Sequence, residues 1–517
     1  MSEKFSYDAV PYPSKFFLQI HPDRLATAGI LYGMTPAAAQ KCRVLELGCG
    51  NGSNLVAHAF GLPDSEFVGV DLAENHIVKA KRSAEELDLS NVEFSQMDVT
   101  EMTEKDFGKF DYITAHGLFS WVPDFVRERV LSLFSELLTP NGIGYVSYNA
   151  YPGAHSREML RSIMRFHTRE IDEPQAKADA AMEFLKMLAQ NAAGPETYAP
   201  VLRSEFLRHQ AHSVEDIYHD DLGEFYQPFY FHEFAALLAA NGMQFLSEAE
   251  LHVSTLQGLS LEASKFVGDI TDVVEREQYL DFLRGRVFRQ TLFCRKDLKL
   301  DREPSPEILN DLFLSSTLKA TAAIKDIASD TVETFRSAKG QQMQIDHPLT
   351  KASLKYLGES WGRAIKTSEL LDHAKKEVGA SVTDEDHNTA RTILMQIALG
   401  SDMIELHSYA PAANATAGMR PKVNRLSQWQ LQDCTNVLTL FNKDLKLNDD
   451  ISRKLLELMD GTRNKMKLTA DMQNYVRSRK DLDDRQDLIR DMASWINDGM
   501  ADLERLGLFE SPTDQPG

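Results

Sequence analysis

R-V-L-E-L-G-C-G-N-G, residues 43–52, sets the reading of the whole chain. Val44, Leu45 and Leu47 make a short apolar run of the kind that forms a buried parallel strand. Gly48, Gly50 and Gly52 let the backbone turn sharply and approach a ligand closely. The segment after them, S-N-L-V-A-H-A-F (53–60), is predicted to open a helix whose N-terminus faces the loop. Val68, Gly69 and Val70 form a second strand that ends at Asp71 and Leu72. A carboxylate at that position suits a ribose diol, which it can hold by charge-assisted hydrogen bonds. The front of the chain therefore reads as a nucleoside-cofactor site at the switch point of a doubly wound α/β sheet.

The glycine spacing is G-x-G-x-G, and Ser53 stands where a dinucleotide fingerprint has its third glycine. Glu46 is a poor neighbour for a pyrophosphate and a good one for a cation. S-adenosylmethionine has no phosphate and carries both a sulfonium and an ammonium. E-L-G-C-G-N-G resembles motif I of the class I S-adenosylmethionine-dependent methyltransferases. That resemblance implies a cofactor bed of Glu46, Gly48, Cys49, Gly50, Asn51 and Gly52, with Asp71 and Leu72 at the ribose. Asp98 and Val99, at the end of a third strand (V-E-F-S-Q-M-D-V, 92–99), then face the adenine.

The composition narrows the classes. A chain of 517 residues calls for about two to four domains. Apolar content of 43% and charged content of 26% are those of a globular protein. With 77 acidic and 56 basic residues the net charge is −21, which disfavours a nucleic-acid or anionic-membrane surface. Cys42, Cys49, Cys294 and Cys434 form no C-x-x-C pair, as expected of a reduced cytoplasm. No apolar run is long enough for a membrane span, and the first residues lack a signal core.

Further along, F-D-Y-I-T-A-H-G (110–117) is a fourth strand and 124–138 a helix stopped by T-P-N-G (139–142). I-G-Y-V-S-Y-N (143–149) is a fifth strand. Residues 154–225, rich in Ala, Glu, Arg and Leu, read as a helical insertion, a lid or a dimer element. A helix, a stop at Gly242 and a strand follow over 231–246, then a helix over about 267–287 and a last, antiparallel strand at 289–295. The catalytic domain thus spans 1–300, with a regulatory-domain-like segment at 215–297. P-S-P (304–306) opens a middle domain, 301–415, containing a hairpin (334–345), three helical patterns (349–357, 368–375, 386–399) and a strand (403–409). That order is winged-helix-like. A C-terminal helical domain covers 416–510, and 511–517 is a polar tail expected to be disordered.

In an open parallel sheet, ligands sit beyond the carboxyl ends of the strands. Two aromatic segments fall there, H-G-L-F-S-W-V-P (116–123) and S-Y-N-A-Y-P-G (147–153), and Y-D-A-V-P-Y-P (7–13) is a third flap. Ring faces suit a sulfonium, which has no hydrogen-bond donor. A lysine acceptor, with a pKa of about 10.4 in water, must arrive neutral, and an apolar slot favours that form. Trp121 and Tyr148 are the expected slot walls, with Tyr151 beside them and His116 orienting substrate or capping the cofactor pocket. Phe119 reads equally as core. The cluster His219, Asp220, Asp221, His232 and Glu233 matches no standard zinc spacing, so no metal is assigned.

V-P-Y-P-S-K-F-F-L-Q-I-H-P-D-R-L-A (10–26), the glycine loop, the two aromatic segments, F-Y-F-H-E-F (229–234) and L-S-E-A-E-L (246–251) resemble a bacterial family of class I methyltransferases with an appended methyltransferase regulatory domain. Its characterised members are the rickettsial protein lysine methyltransferases, which act on outer-membrane proteins. The resemblance implies a Rossmann-like methyltransferase sheet with a helical insertion, followed by a mainly helical C-terminal half. It also implies S-adenosyl-L-methionine as cofactor, a homodimer, and a protein substrate with exposed lysines. Ala154 departs from the family, which usually has tryptophan after Y-P-G. Methylation of a small amine or other metabolite is the alternative. A nucleic-acid-binding regulator is disfavoured, because the helix that would enter a groove opens T-D-E-D-H-N (383–388).

Overall fold

The computed structural model describes residues 16–210, 212–410, 417–433, 436–439, 444–447, 449–479 and 485–510. The aromatic flap at 7–13 and the tail at 511–517 lie outside them. The chain forms two compact units, Met1–Arg302 and Glu303–Gly517.

The first unit is built on a seven-stranded sheet of order β3-β2-β1-β4-β5-β7-β6. Its strands are β1 (Arg43–Leu47), β2 (Glu66–Asp71), β3 (Val92–Gln96), β4 (Phe110–Ala115), β5 (Leu138–Asn149), β6 (Met243–Glu248) and β7 (Phe288–Arg295). The first five run parallel, and β7 is antiparallel to both β5 and β6. Helix α1 (Pro22–Leu31) precedes the sheet; α2 (Ser53–Gly61), α3 (Glu74–Glu86) and α4 (Asp124–Leu137) cross over between strands. β1 is buried from Val44 onward because helices cover both faces of a parallel sheet, which is why its sequence is continuously apolar rather than alternating. Winding reverses between β1 and β4, so the loops that leave these two strands diverge and open a crevice.

Two local expectations change. T-P-N-G does not separate helix from strand: α4 runs straight into β5 at Leu138. The pairing of β5 with β4 jumps from Phe110–Leu138 to Tyr112–Ile143, so Thr139–Gly142 is a bulge inside one strand. The helix expected over 267–287 is two helices, α9 (Leu261–Gly268) and α10 (Val273–Arg284). The break follows from Asp272, whose side chain accepts from Glu275 N and caps α10.

The insertion holds α5 (Ala154–His167), α6 (Pro174–Asn191) and α7 (Tyr198–His209), packed around Leu160, Met164, Leu185 and Leu202. A π-helical turn, Ile217–Asp221, returns the chain to α8 (Phe231–Ala240) and the sheet.

In the second unit, β8 (Phe313–Ser316) pairs antiparallel with β12 (Ile365–Lys366) and β13 (Ile404–His407). Around them lie α11 (Pro348–Glu359), α12 (Thr367–Val378) and α13 (Asp384–Gly400). β10 (Glu333–Arg336) and β11 (Gln342–Ile345) form the expected hairpin, joined by β9 (Lys319–Ala320). Asp384, Glu385 and Asp386 fill the first turn of α13, and Asp386 closes a capping box with Thr383. Negative charge at that helix end is stabilised by the helix dipole, so these acids have a structural role. The C-terminal part comprises α14 (Arg425–Asp433), β14 (Asn436–Leu438), β15 (Asp444–Lys446), α15 (Asp450–Leu458), α16 (Lys465–Ser478) and α17 (Arg485–Arg505). Its core contains Val437, Leu456, Met472, Ile496 and Phe509. Among the described residues no helix is long and apolar enough to cross a membrane.

One buried charge network joins β6, β7, α8 and α10. Arg289, fully buried on β7, donates to Glu248 Oε1 at 2.7 Å, Asp281 Oδ2 at 2.8 Å and Glu277 Oε2 at 3.0 Å. Its guanidinium lies 3.9 Å from the ring centre of Phe231. Removing only the cation would strand three carboxylates in the core. Arg289→Met is expected to lower unfolding stability by about 3–5 kcal/mol, checked by urea denaturation.

Candidate cofactor and acceptor sites

The loop between β1 and α2 is held by the end of β2. Gly48 N and Cys49 N both donate to Val70 O, at 2.9 and 3.0 Å. Gly50 N donates to Asp71 Oδ2 at 2.8 Å, and Asp71 Oδ1 accepts from Ala73 N at 2.9 Å. Gly52 has φ +73°, and a β-carbon there would lie 2.7 Å from Phe94 and 2.8 Å from Ala80. Only glycine fits where the turn meets the packed sheet. Gly50, at φ +55°, has open space in front of it.

Glu46 points into this turn from β1 and is 2% exposed. Its Oε1 accepts from Asn54 Nδ2 at 3.4 Å, while Oε2 is buried and has no hydrogen bond. Burial, reinforced by the charge of Asp71, pushes its carboxyl up to about 8 despite the Asn54 hydrogen bond. A buried carboxylate oxygen without a partner fits a cationic donor from a ligand. Asn54 also accepts from Phe17 N at 2.9 Å, tying the segment before α1 to the loop.

Along the crevice, Leu72 is 44% exposed beside Asp71. Asp98 Oδ1 accepts from Thr100 N at 2.8 Å and Thr100 Oγ1 at 2.7 Å, which fixes its carboxylate. Val99 is half-buried against the sheet core. His116 lies under Phe17, ring centres 3.7 Å apart, and its Nδ1 shares a 2.7 Å hydrogen bond with Tyr145 Oη. Burial drives the Tyr145 phenol well above its ordinary pKa, so it stays protonated. Leu72 and Val99 are apolar, Asp71 and Asp98 are acceptors, and Glu46 is an acidic terminus. This set matches an adenosine joined to a cationic amino acid.

The acceptor side differs from the expectation. Tyr148 does not wall an open slot. It is 1% exposed, its ring lies 4.3 Å from Phe234 of α8, and Thr291 Oγ1 donates to its hydroxyl at 3.4 Å. Strand alternation turns it onto the sheet face that α8 covers. Phe119 is likewise core, packed between Phe229 and Phe234. Trp121 stays half-buried, but its ring already faces Tyr226 at 5.2 Å and the guanidiniums of Arg157 and Arg161 at 5.4 and 5.5 Å. Tyr151 stacks on His155 and donates to Glu158 Oε2 at 3.0 Å.

What opens instead is a cavity of about 130 Å³ at the end of β5, lined by Asn149, Ala154, Arg157, Arg208, Tyr226 and Phe288, among others. The Phe288 ring centre is 6.2 Å from that of His116, which places the cavity next to the crevice. Asn149 Nδ2, Arg157 Nη2, Arg208 Nε and Tyr226 Oη are buried there without hydrogen bonds. A tryptophan in place of Ala154 would project into this space.

Comparison with known proteins now bears on these sites. Family models match at residues 38–194 ("Methyltransferase domain"), 214–295 ("Predicted methyltransferase regulatory domain") and 420–508 ("PKMT, C-terminal winged helix domain"). An uncharacterized protein of Rickettsia prowazekii is 30% identical over 76% of this chain and 72% of its own length. The chain belongs to the class I S-adenosylmethionine-dependent methyltransferases that carry a methyltransferase regulatory domain. It is an enzyme, and its cofactor is S-adenosylmethionine. A second uncharacterized R. prowazekii protein is 34% identical over 45% of this chain and 93% of its own. In fold, the methyltransferase resembles PKMT2 from Rickettsia typhi, solved in complex with AdoHcy, at a TM-score of 0.84 and 24% identity, covering 96% of this chain and all of the other. The family's winged helix domain falls at 420–508, where β14 and β15 pair, whereas the sequence pattern points to the unit before residue 415.

Several site residues are not singled out by the sequence. Asn54 follows the glycine loop directly, and its amide could have been read as a partner for Glu46. Phe17 sits in a family segment without an obvious role. Arg157, Arg208 and Tyr226 reach the cavity only through the folding of the insertion, and no spacing announces them.

Glu46 provides a test with opposite signs. Its carboxyl is mostly neutral in the folded ligand-free protein below about pH 8, while the unfolded chain ionises near the ordinary value of 4.5. Stability is therefore lost progressively as pH rises from about 4.5 to 8. Glu46→Gln is expected to raise the thermal midpoint at pH 8 more than at pH 5, while weakening S-adenosylmethionine binding at pH 8; calorimetry checks both. Asp71→Ala is expected to cost about 2–3 kcal/mol of cofactor binding, since charge-assisted hydrogen bonds are lost. Unchanged affinity in that variant would remove Asp71 from the ribose.

Proposed function

We propose that this methyltransferase N-methylates lysine side chains exposed on other proteins. The observation that carries this reading is the match of residues 420–508 to the winged helix domain of PKMT proteins. That domain lies in a separately packed unit, residues 303–517, which an enzyme for a small acceptor does not need. The net charge of −21 favours encounter with lysine-bearing surfaces.

In this reading Glu46 takes the cofactor's ammonium and the Gly48–Gly52 backbone, with Cys49 and Asn51, lies along its amino-acid portion. Asp71 takes the ribose, Asp98 the adenine amino group, and Leu72 and Val99 the faces of the base. Bound S-adenosylmethionine supplies a methyl group on a sulfonium. The protein's part is to align the acceptor and to keep its amine neutral. Arg157 and Arg161 beside Trp121 oppose an ammonium there, and a nearby cation lowers an amine's pKa. His116, held by Phe17 and Tyr145, closes the crevice beside Phe288.

The cavity donors without a hydrogen bond, Asn149 Nδ2, Arg208 Nε and Tyr226 Oη, favour a second reading, a small amine that also carries a carboxylate. Cell lysate incubated with labelled cofactor and analysed by mass spectrometry separates the two. Methyl-lysine on proteins is expected; label confined to small molecules would replace the first reading by the second. Trp121→Ala should lower turnover far more than cofactor affinity, because the ring supports the acceptor side. The rate should rise from pH 7 to 9 as more amine is neutral on entry.

The insertion also favours a homodimer. Phe166 on α5 and Leu207 on α7 are 70% and 66% exposed, more apolar surface than a solvated helix pair needs. Light scattering is expected to give a dimer at micromolar concentration and a monomer for the Phe166→Asp, Leu207→Asp double variant.

A further inference from the structure

We propose that the helical insertion holds a divalent transition-metal ion, bound by His209, His212 and Asp221. Three side-chain atoms, one from each residue, lie within 4.8 Å of one another. His209 and Asp221 are 0% and 1% exposed, and His212 is half-buried.

The argument begins with His209. Its Nδ1 lies 2.7 Å from the carbonyl oxygen of Glu205, one helical turn back. Nδ1 therefore carries the proton, and Nε2 of the neutral ring presents a lone pair. Metal-bound imidazoles have this arrangement, with the second ring nitrogen oriented by a carbonyl or carboxylate. Nε2 lies 3.1 Å from Asp221 Oδ2. At that distance a protonated ring would be expected to donate to the carboxylate. The two atoms are in ion-pair contact, but neither makes a hydrogen bond of good geometry. His212 Nδ1 is a third such atom in the same place.

One ligand atom from each of the three side chains lies within 4.8 Å of the others, close enough to share an ion. Zinc binds nitrogen at about 2.0–2.1 Å and carboxylate oxygen at about 2.0–2.2 Å, so neighbouring ligands stand roughly 3–3.4 Å apart. The 3.1 Å between Nε2 and Oδ2 falls in that range. Two imidazoles and a carboxylate suit zinc and its first-row neighbours rather than magnesium or calcium, which prefer all-oxygen shells.

The surroundings supply the outer shell. Asp221 Oδ1 accepts from Arg157 Nε at 3.0 Å, leaving Oδ2 for the cation. His209 ends α7, and Asp221 ends the π-helical turn Ile217–Asp221. Such turns interrupt regular helices mostly at functional sites. The ion would clasp the end of α7 to this turn and fix Arg157, whose Nη2 lines the cavity beside β5. This assignment does not depend on which acceptor the enzyme methylates. The sequence cluster around His219 and Asp220 has no metal spacing because two of the three ligands come from α7 and the residues just after it.

The test uses the full-length chain, stripped with a chelator and titrated with zinc and with cobalt(II). One equivalent of zinc per chain is expected to bind and to raise the thermal midpoint. Cobalt(II) is expected to give visible d–d absorption without a thiolate charge-transfer band. His212→Ala should weaken zinc binding at least about 100-fold, in line with loss of one ligand, and His252→Ala should leave it unchanged. Asp221→Asn should behave like His212→Ala; if its broken pairing with Arg157 prevents folding, the half-buried His212 decides alone. Absence of saturable binding would reduce the site to a His209–Asp221 ion pair and overturn the proposal. Full binding in His212→Ala would overturn it as well.

Discussion

A parallel sheet cannot be connected by tight turns, and this constraint shapes everything around the site. Each strand must be followed by a crossover over one face, so the chain winds outward from β1 to β3 and then restarts at β4 on the other side. At the restart the loops leaving β1 and β4 diverge. The carboxyl ends of these strands supply the walls of the gap. Glu46, the glycine loop, Asp71 and His116 meet there because they end neighbouring strands.

Two buried ionisable side chains, Arg289 and Glu46, follow opposite logic. Arg289 has three carboxylates and an aromatic face, so its burial is fully compensated inside the protein. Glu46 is held neutral by burial instead: Asn54 serves one oxygen, and among the described residues none bonds to the other. A fold that leaves one acidic oxygen unserved stores a free-energy cost that a cationic ligand can relieve. The first arrangement ties β6, β7 and α10 together.

The insertion repeats the second pattern with donors. Arg157 bridges the two features of this region, binding Asp221 through Nε and reaching the cavity through Nη2. Trp121 lies against the same guanidinium. Arg157 on α5 and Arg208 on α7 thus both line the cavity at the end of β5.

The sequence by itself determined the sheet and the enzyme class. Those features rest on short-range chemistry: apolar runs long enough for buried strands, glycines where positive φ and close approach are needed, and acids at strand ends. Each can be read within about a dozen residues. Tertiary structure decided the acceptor side. Tyr148 reads as a pocket aromatic, yet strand alternation and α8 bury it against Phe234. Thr139–Gly142 reads as a turn, yet pairing with β4 absorbs it as a bulge. The cavity donors, and the convergence of His209, His212 and Asp221, join residues from α5, α7 and the π-helical turn. Which side chains of three separate helical segments face one point depends on how their apolar stripes pack, and a linear chain does not carry that information locally.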